Sequence, residues 1–464
     1  MAYPRRTAYP HRAALLLLVL SACNNDRVDA NLDMSRPPDA DLPPDAPRTC
    51  AVSGPAHQLS NLTGQHAYPR IASNGAGYVV AWLSGIPGTP PTFRIDATLT
   101  DNLGNKLGPN LPMSQLAIAE QDPPSVAPIV GGTTIAWTRR AGAATDIALT
   151  TLDASGQKLD PSGKPCDPAD LGCGIFVVTT SGTARAPYLE RPFGDVHTTG
   201  ATENQLGLTF VDSRGYPSPA QNDVYWKRVQ TNGTELLYEK KLTSMMGSRF
   251  ASPRLAFDGF HQAVVWRDVT VATTSDLYFT TIDNLGQISS LVQKIGSASG
   301  NNAPSTPDLL WTGDEYALVS ATGTDATAAV LFQRQSPTGT STLAPKGVTF
   351  EGSACAPAIA FDGQSYAIVY QLDCGKVGSD LAFIRVDPNG TRRQLDGTSC
   401  ADSVDPMCGR LVFTSQAERG GASRPEMVYG GDGSFAIVWM QGPAGPNLDP
   451  GTPLEVYLQR IDCK

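Results

Sequence analysis

Three things are scarce in this sequence. No stretch carries apolar residues at a sustained helical spacing, so the default expectation is an all-β chain. Charged residues make up only 17%, and their balance is acidic, with a formal net charge of −9. General binding to nucleic acid or to an anionic membrane surface needs a basic footprint, so the charge balance argues against both. Histidine is scarce too, at five residues. His57, His66, His197 and His261 fall in separate stretches and form no HxxxH or HxH pair. No GxSxG, HExxH, glycine-rich phosphate loop or EF-hand loop occurs. The sequence therefore names no catalytic residue, no resident cofactor and no zinc ligand set.

Turn residues are abundant instead: 45 glycines and 37 prolines among 464 residues. They punctuate a repeat. Pro69 to Trp82 reads as a β-hairpin turning at Asn74-Gly75, and the same pattern returns along the chain. A proline is followed 13 residues later by a stop residue in Pro69/Trp82, Pro124/Trp137, Pro253/Trp266, Pro307/Ser320 and Pro357/Tyr370, with Pro425/Trp439 one residue longer. Pro187 opens an expanded copy whose second strand runs from Leu206 to Phe210. Ala72, Ala127, Ala256 and Ala360 sit three residues after their prolines, a small side chain suited to strands that converge on an axis. A third strand ending in a glycine turn follows each hairpin, as in Asp223 to Gly233 and Asp276 to Gly286. A fourth strand then runs through segments such as Leu236 to Leu242 and Ile288 to Ile295.

Seven such units predict a seven-bladed β-propeller of four-stranded antiparallel blades. The last unit stops at Cys463-Lys464 without a fourth strand, while Cys50 to Ser60 precedes the first unit with no other role. The expectation is that this N-terminal strand completes the last blade and closes the ring, removing exposed strand edges.

The chain begins with Arg5, Arg6 and Arg12, then an apolar run from Ala13 to Leu20 that is too short to span a bilayer. Leu20-Ser21-Ala22-Cys23 resembles a bacterial lipobox. That resemblance implies a signal peptide over 1–22, lipidation of Cys23 and a membrane partner through the lipid; Asn24 after it implies the outer membrane. Residues 23–49 read as a disordered Pro/Asp-rich tether, because they hold too little apolar surface to fold, and 50–464 as the propeller.

Nine cysteines less Cys23 leave eight, an even number in an exported chain, which points to disulfides. The expected pairs are Cys50–Cys463 at the ring closure, Cys166–Cys173 and Cys400–Cys408 across short insertions, and Cys355–Cys374 across the sixth hairpin. Asp167, Asp170, Asp402 and Asp405 in those insertions offer oxygen ligands of the kind Ca²⁺ takes, although solvated turn aspartates are the commoner arrangement. The four tryptophans at one repeat position read as packing residues.

In a propeller, the loops between strands two and three share a face with the entries to strand one. Arg139, Arg140, Asp212, Arg214, Tyr216, Arg267, Asp268, Asp373 and Lys376 lie in or beside those loops, and Arg70, Arg185, Arg249, Arg254 and Arg424 lie near the entries. On an otherwise acidic chain this mouth is a candidate for an anionic ligand such as an acidic glycan or a carboxylate, which guanidinium groups recognise bidentately. Arg139, Arg140, Arg214, Tyr216, Arg267 and Asp268 are the selected ligand-binding candidates.

The pattern P-x-[ILV]-A-x-D-G-x-x-Y-x-[IV]-V-W, followed by D-[ILV]-Y and D-x-x-G, is similar to the repeats of TolB-like and WD40-like propellers over residues 50 to 464. Phe361-Asp362-Gly363 is the nearest approach to the TolB-like Ser-Pro-Asp-Gly turn, and the sialidase Asp-box is not matched. The resemblance implies propeller geometry and the company of bacterial propeller lipoproteins, without an activity. The expected function is that of a monomeric cell-envelope scaffold that binds a protein or glycan non-catalytically through one face. The alternative is a hydrolase, with Asp212, Asp268 and Asp373 as the acids to test.

Overall fold

The computed structural model describes residues 48–60, 64–86, 92–114, 122–192, 204–216, 218, 221–243, 248–271, 274–299, 306–323, 327–350, 353–374, 376, 378–401, 405–415, 420–442 and 453–464. The expected signal peptide, Cys23, the expected tether up to Pro47, His197 and Asp402 lie outside them. Among the described residues every regular element is a strand. They form seven antiparallel sheets in chain order, each built from consecutive strands except the last. The inner strands are Gln65–Ser73, Ser125–Ile129, Ala184–Pro192, Phe250–Phe257, Asp308–Trp311, Ala354–Phe361 and Gly421–Tyr429, for blades 1 to 7. Blade 7 takes its outermost strand, Cys50–Gln58, from the N-terminus. That strand pairs antiparallel with Glu455–Cys463, with Cys50 opposite Cys463. The ring is a closed seven-bladed propeller, and the Cys50–Cys463 disulfide fastens the closing strand at its end. The other three expected disulfides are present.

The strand register explains why one repeat position is aromatic. The residue after each proline lies opposite Ala81, Ala136, Thr209, Val265, Val319, Val369 and Val438 in blades 1 to 7. The next residue is Trp82, Trp137, Phe210, Trp266, Ser320, Tyr370 and Trp439. The six aromatics are at most 1% exposed, and each packs into a cluster shared with the preceding blade. Trp137 of blade 2, for example, lies with Ile95 and Leu99 of blade 1. These rings are the mortar between flat sheets, which is why function is not to be sought in them.

Two expectations about strand limits change. Fourth strands run Glu235–Lys241 and Gln293–Ser299, so Ile288 sits in a turn before its strand, bridged to Ile282. In five blades the repeat proline also lies inside its strand and not at its start: Pro69 is the fifth residue of Gln65–Ser73. A sheet tolerates proline there because the strand bulges at that point.

The glycine of the third-to-fourth turn carries two constraints at once. Gly233 has φ +81, and a Cβ on it would overlap Phe176 Cβ of the preceding blade. Gly233→Ala is expected to cost about 2 kcal/mol of stability, read as a lower denaturation midpoint with an unchanged slope.

The aspartates of these turns are held ionised. Asp101 Oδ1 accepts the amides of Leu103 at 2.9 Å and Asn105 at 2.8 Å, and Asp153 does the same for Ser155 and Gln157. Slight burial raises both carboxyl pKa values, but hydrogen bonds, led by Asn105 and Ser155 side chains, carry them below the usual range. Asp160 is lowered by the Lys164 amide first and Ser162 next. A folded-state pKa below the unfolded value adds stability above the unfolded value, and that stability is lost as pH falls through the folded one. The melting temperature is expected to be flat from neutrality down to about pH 5 and to drop below about pH 4; Asp153→Asn should shrink the drop.

Candidate functional site

Five of the seven inner strands carry the same distortion. Tyr68, Ala186, Ser252, Ala356 and Arg424, each just before the repeat proline, have φ between 47° and 55°. The pairing register slips at each of these points. A left-handed conformation at a non-glycine residue costs on the order of 1–2 kcal/mol, and bulges of this kind re-aim side chains. Here they present two rings at the axis: the residues before the prolines and those after. The second ring, in blade order, is Arg70, Ser125, Tyr188, Arg254, Asp308, Ala358 and Glu426.

The charged members of these rings meet. Glu426 of blade 7 forms ion pairs with Arg70 of blade 1 and, at 3.2 Å, with Arg254 of blade 4. Arg254 Nε lies 3.9 Å from Asp308 of blade 5, and its guanidinium stacks 4.6 Å over the Tyr188 ring. Asp308 Oδ2 also accepts the Ile359 amide at 2.9 Å, tying blade 5 to blade 6. Arg424 lies half-buried with its guanidinium 4.6 Å over Tyr68. Together Tyr68, Arg70, Arg254, Thr306, Arg424 and Glu426, with four prolines and Ala356, line an axial cavity of about 50 Å³.

Three guanidinium groups thus face two carboxylates. The consequence is visible in Arg70: burial lowers its pKa most, and the Arg254 charge lowers it further. Burial drives the Tyr188 hydroxyl upward, so it stays neutral. The Nε atoms of Arg70 and Arg254 are buried and have no hydrogen-bond partner. An anion placed in the cavity would relieve the positive excess.

The candidates chosen from the sequence are dispersed by the fold. Arg139 is half-buried opposite Asp146, and Arg140 is exposed with Nε donating to the Gly142 carbonyl. Arg214 is held by Asp212 and Glu239 and stacks on Tyr225. The Tyr216 hydroxyl donates to Asp223 at 2.8 Å. Arg267 is buried between blades 4 and 5, and Asp268 caps the Thr270 amide. Asp373 pairs with Lys376, Arg185 pairs with Asp122, and Arg249 is exposed. Of the candidate cations, only Arg70, Arg254 and Arg424 converge on one cavity. Tyr68, Tyr188, Asp308 and Glu426 escaped the sequence reading, although each adjoins a repeat proline and that position was their signal.

His66 meets Ser84 and His261 meets Asp258, both within single hairpins. Asp167, Asp170 and Asp405 accept amides of their own turns. Among the described residues no group of three or more His, Cys, Asp or Glu is placed to hold a metal ion.

No family model matches the chain, and no curated protein matches it. Solved structures do. Polysaccharide lyase Uly1 is 9% identical with a TM-score of 0.49, over 89% of this chain and 93% of that one. The endosialidase of phage phi92 is 9% identical with a TM-score of 0.43, over 89% and 70%. An α-L-arabinofuranosidase from Lactobacillus brevis is 12% identical with a TM-score of 0.33, over 55% and 86%. Such distant likeness transfers neither family nor activity, and the propeller assignment rests on the strand pairing above.

Proposed function

We propose that this chain is an envelope-anchored binding protein whose axial mouth takes a carboxylate-bearing ligand, such as an acidic glycan. The observation that carries the reading is the convergence of Arg70, Arg254 and Arg424, from three blades, on one cavity with fewer carboxylates than guanidiniums. Tyr68 and Tyr188 back two of the cations, and Tyr68, on the cavity wall, adds apolar surface of the kind that sugar rings pack on. Binding is favoured over hydrolysis because Glu426 and Asp308 are tied to arginine. Glycoside hydrolysis needs two carboxyl groups free to flank the scissile bond, and both of these are engaged by guanidinium groups.

An array of acidic and neutral glycans tests this. The expected result is selective binding of uronic or other carboxylate sugars, at least about tenfold weaker in Arg424→Gln, the loss typical of a charge-assisted hydrogen bond. Equal binding of neutral glycans, or no effect of Arg424→Gln, would contradict it.

A further inference from the structure

The aromatic position that cements the blades is broken once. Blade 5 has Ser320 where the other six have Trp, Phe or Tyr, and each of those rings fills the joint with the preceding blade. At the joint of blades 4 and 5 the ring is missing, and a cavity of about 90 Å³ stands there, lined by Ser320 and residues of both blades.

Arg267 borders this cavity. It follows Trp266 on blade 4, is 6% exposed, and donates from Nε to Ser275 Oγ at 2.7 Å. Among the described residues no carboxylate pairs with it, and burial alone lowers its pKa to about 10. A guanidinium buried without a counter-ion is costly, and evolution ordinarily pairs it. The contrast with Arg254 and Arg460 is direct, since those buried cations each reach two carboxylates. The remaining wall divides in two kinds: Ser275, Ser297 and Thr322 offer hydroxyls, while Leu277, Leu331 and Pro345 are apolar.

From this geometry we infer that the blade 4–blade 5 joint is a second binding site, for a small aliphatic carboxylate. Its charged end lies on the Arg267 guanidinium and the hydroxyls, and its short alkyl part fills the space that an aromatic ring occupies elsewhere. The site is separate from the axial mouth and independent of the function proposed for it.

Thermal shift and titration calorimetry on the full-length protein, with propionate, propionamide and chloride at constant ionic strength, test the inference. Propionate is expected to bind saturably and raise the melting temperature, while propionamide does neither and chloride binds more weakly. Arg267→Met should weaken propionate by about tenfold or more without unfolding the chain, because it removes an unpaired buried charge. Ser320→Trp should abolish binding by filling the joint, while Arg249→Gln, at an exposed arginine outside both sites, should leave it unchanged. Equal binding of propionamide, equal affinity for chloride, or retained propionate binding in Arg267→Met would each overturn the inference.

Discussion

Replacing Cys50 and Cys463 together by serine is expected to cost about 3–5 kcal/mol of stability, at the upper end for a disulfide. The bond spans 413 residues, and in the chain-entropy view the loop-closure entropy it removes from the unfolded chain grows with the logarithm of that length. It also guards the joint on which the ring depends. Cys50–Gln58 is the outermost strand of the last blade, and only one neighbouring strand, Glu455–Cys463, holds it in the sheet. If that strand frays, blade 7 loses an edge strand and a backbone ladder lies open to other chains. Denaturation with and without reductant checks the prediction. A double variant that melts as the parent does would mean that strand pairing alone seals the ring. The short-range disulfide Cys166–Cys173, which closes seven residues of separation, should matter much less.

The second large effect is expected at the axis. Glu426 bridges Arg70 and Arg254, whose residues are 8% and 5% exposed. Glu426→Ala would leave two guanidiniums buried with Asp308 as their nearest acid, at 3.9 Å from Arg254. Loss of one member of a buried ion pair costs about 3–5 kcal/mol, so the variant should unfold at markedly lower denaturant. The companion variant Glu426→Gln, which keeps shape and hydrogen-bonding capacity, should lose less. It should also bind anionic ligands more tightly, because a carboxylate that competes with them is gone. A double-mutant cycle with Arg70→Met measures the coupling. Additive effects would show that Arg70 and Glu426 do not act as a pair.

The architecture was readable because it repeats. Seven prolines, glycine turns and recurring aromatics give a period that one sequence suffices to reveal, and a missing last strand matched by a spare N-terminal one shows how the ring closes. The cysteine pairs were readable for the same reason, since blade position brought their partners together. The site was less legible. Arg139 proves to lie within the strand Gly132–Ala141, opposite Asp146, and Arg214, in the turn after Asp212, points along its own blade toward Asp212 and Glu239. What aims a side chain at the axis is the bulge before the proline, and a left-handed Tyr68 or Arg424 carries no compositional mark. Ser320 is the opposite case. Its departure from the aromatic pattern stands in the sequence, but the cavity it leaves and the unpaired Arg267 beside it appear only when two blades are set together.

The axial anion site is tested most directly by anomalous X-ray scattering from crystals soaked in bromide. A bromide is expected on the propeller axis, in contact with the Arg424 guanidinium and with Arg70 or Arg254. Bromide confined to exposed lysines and arginines, with the axis empty, would contradict it.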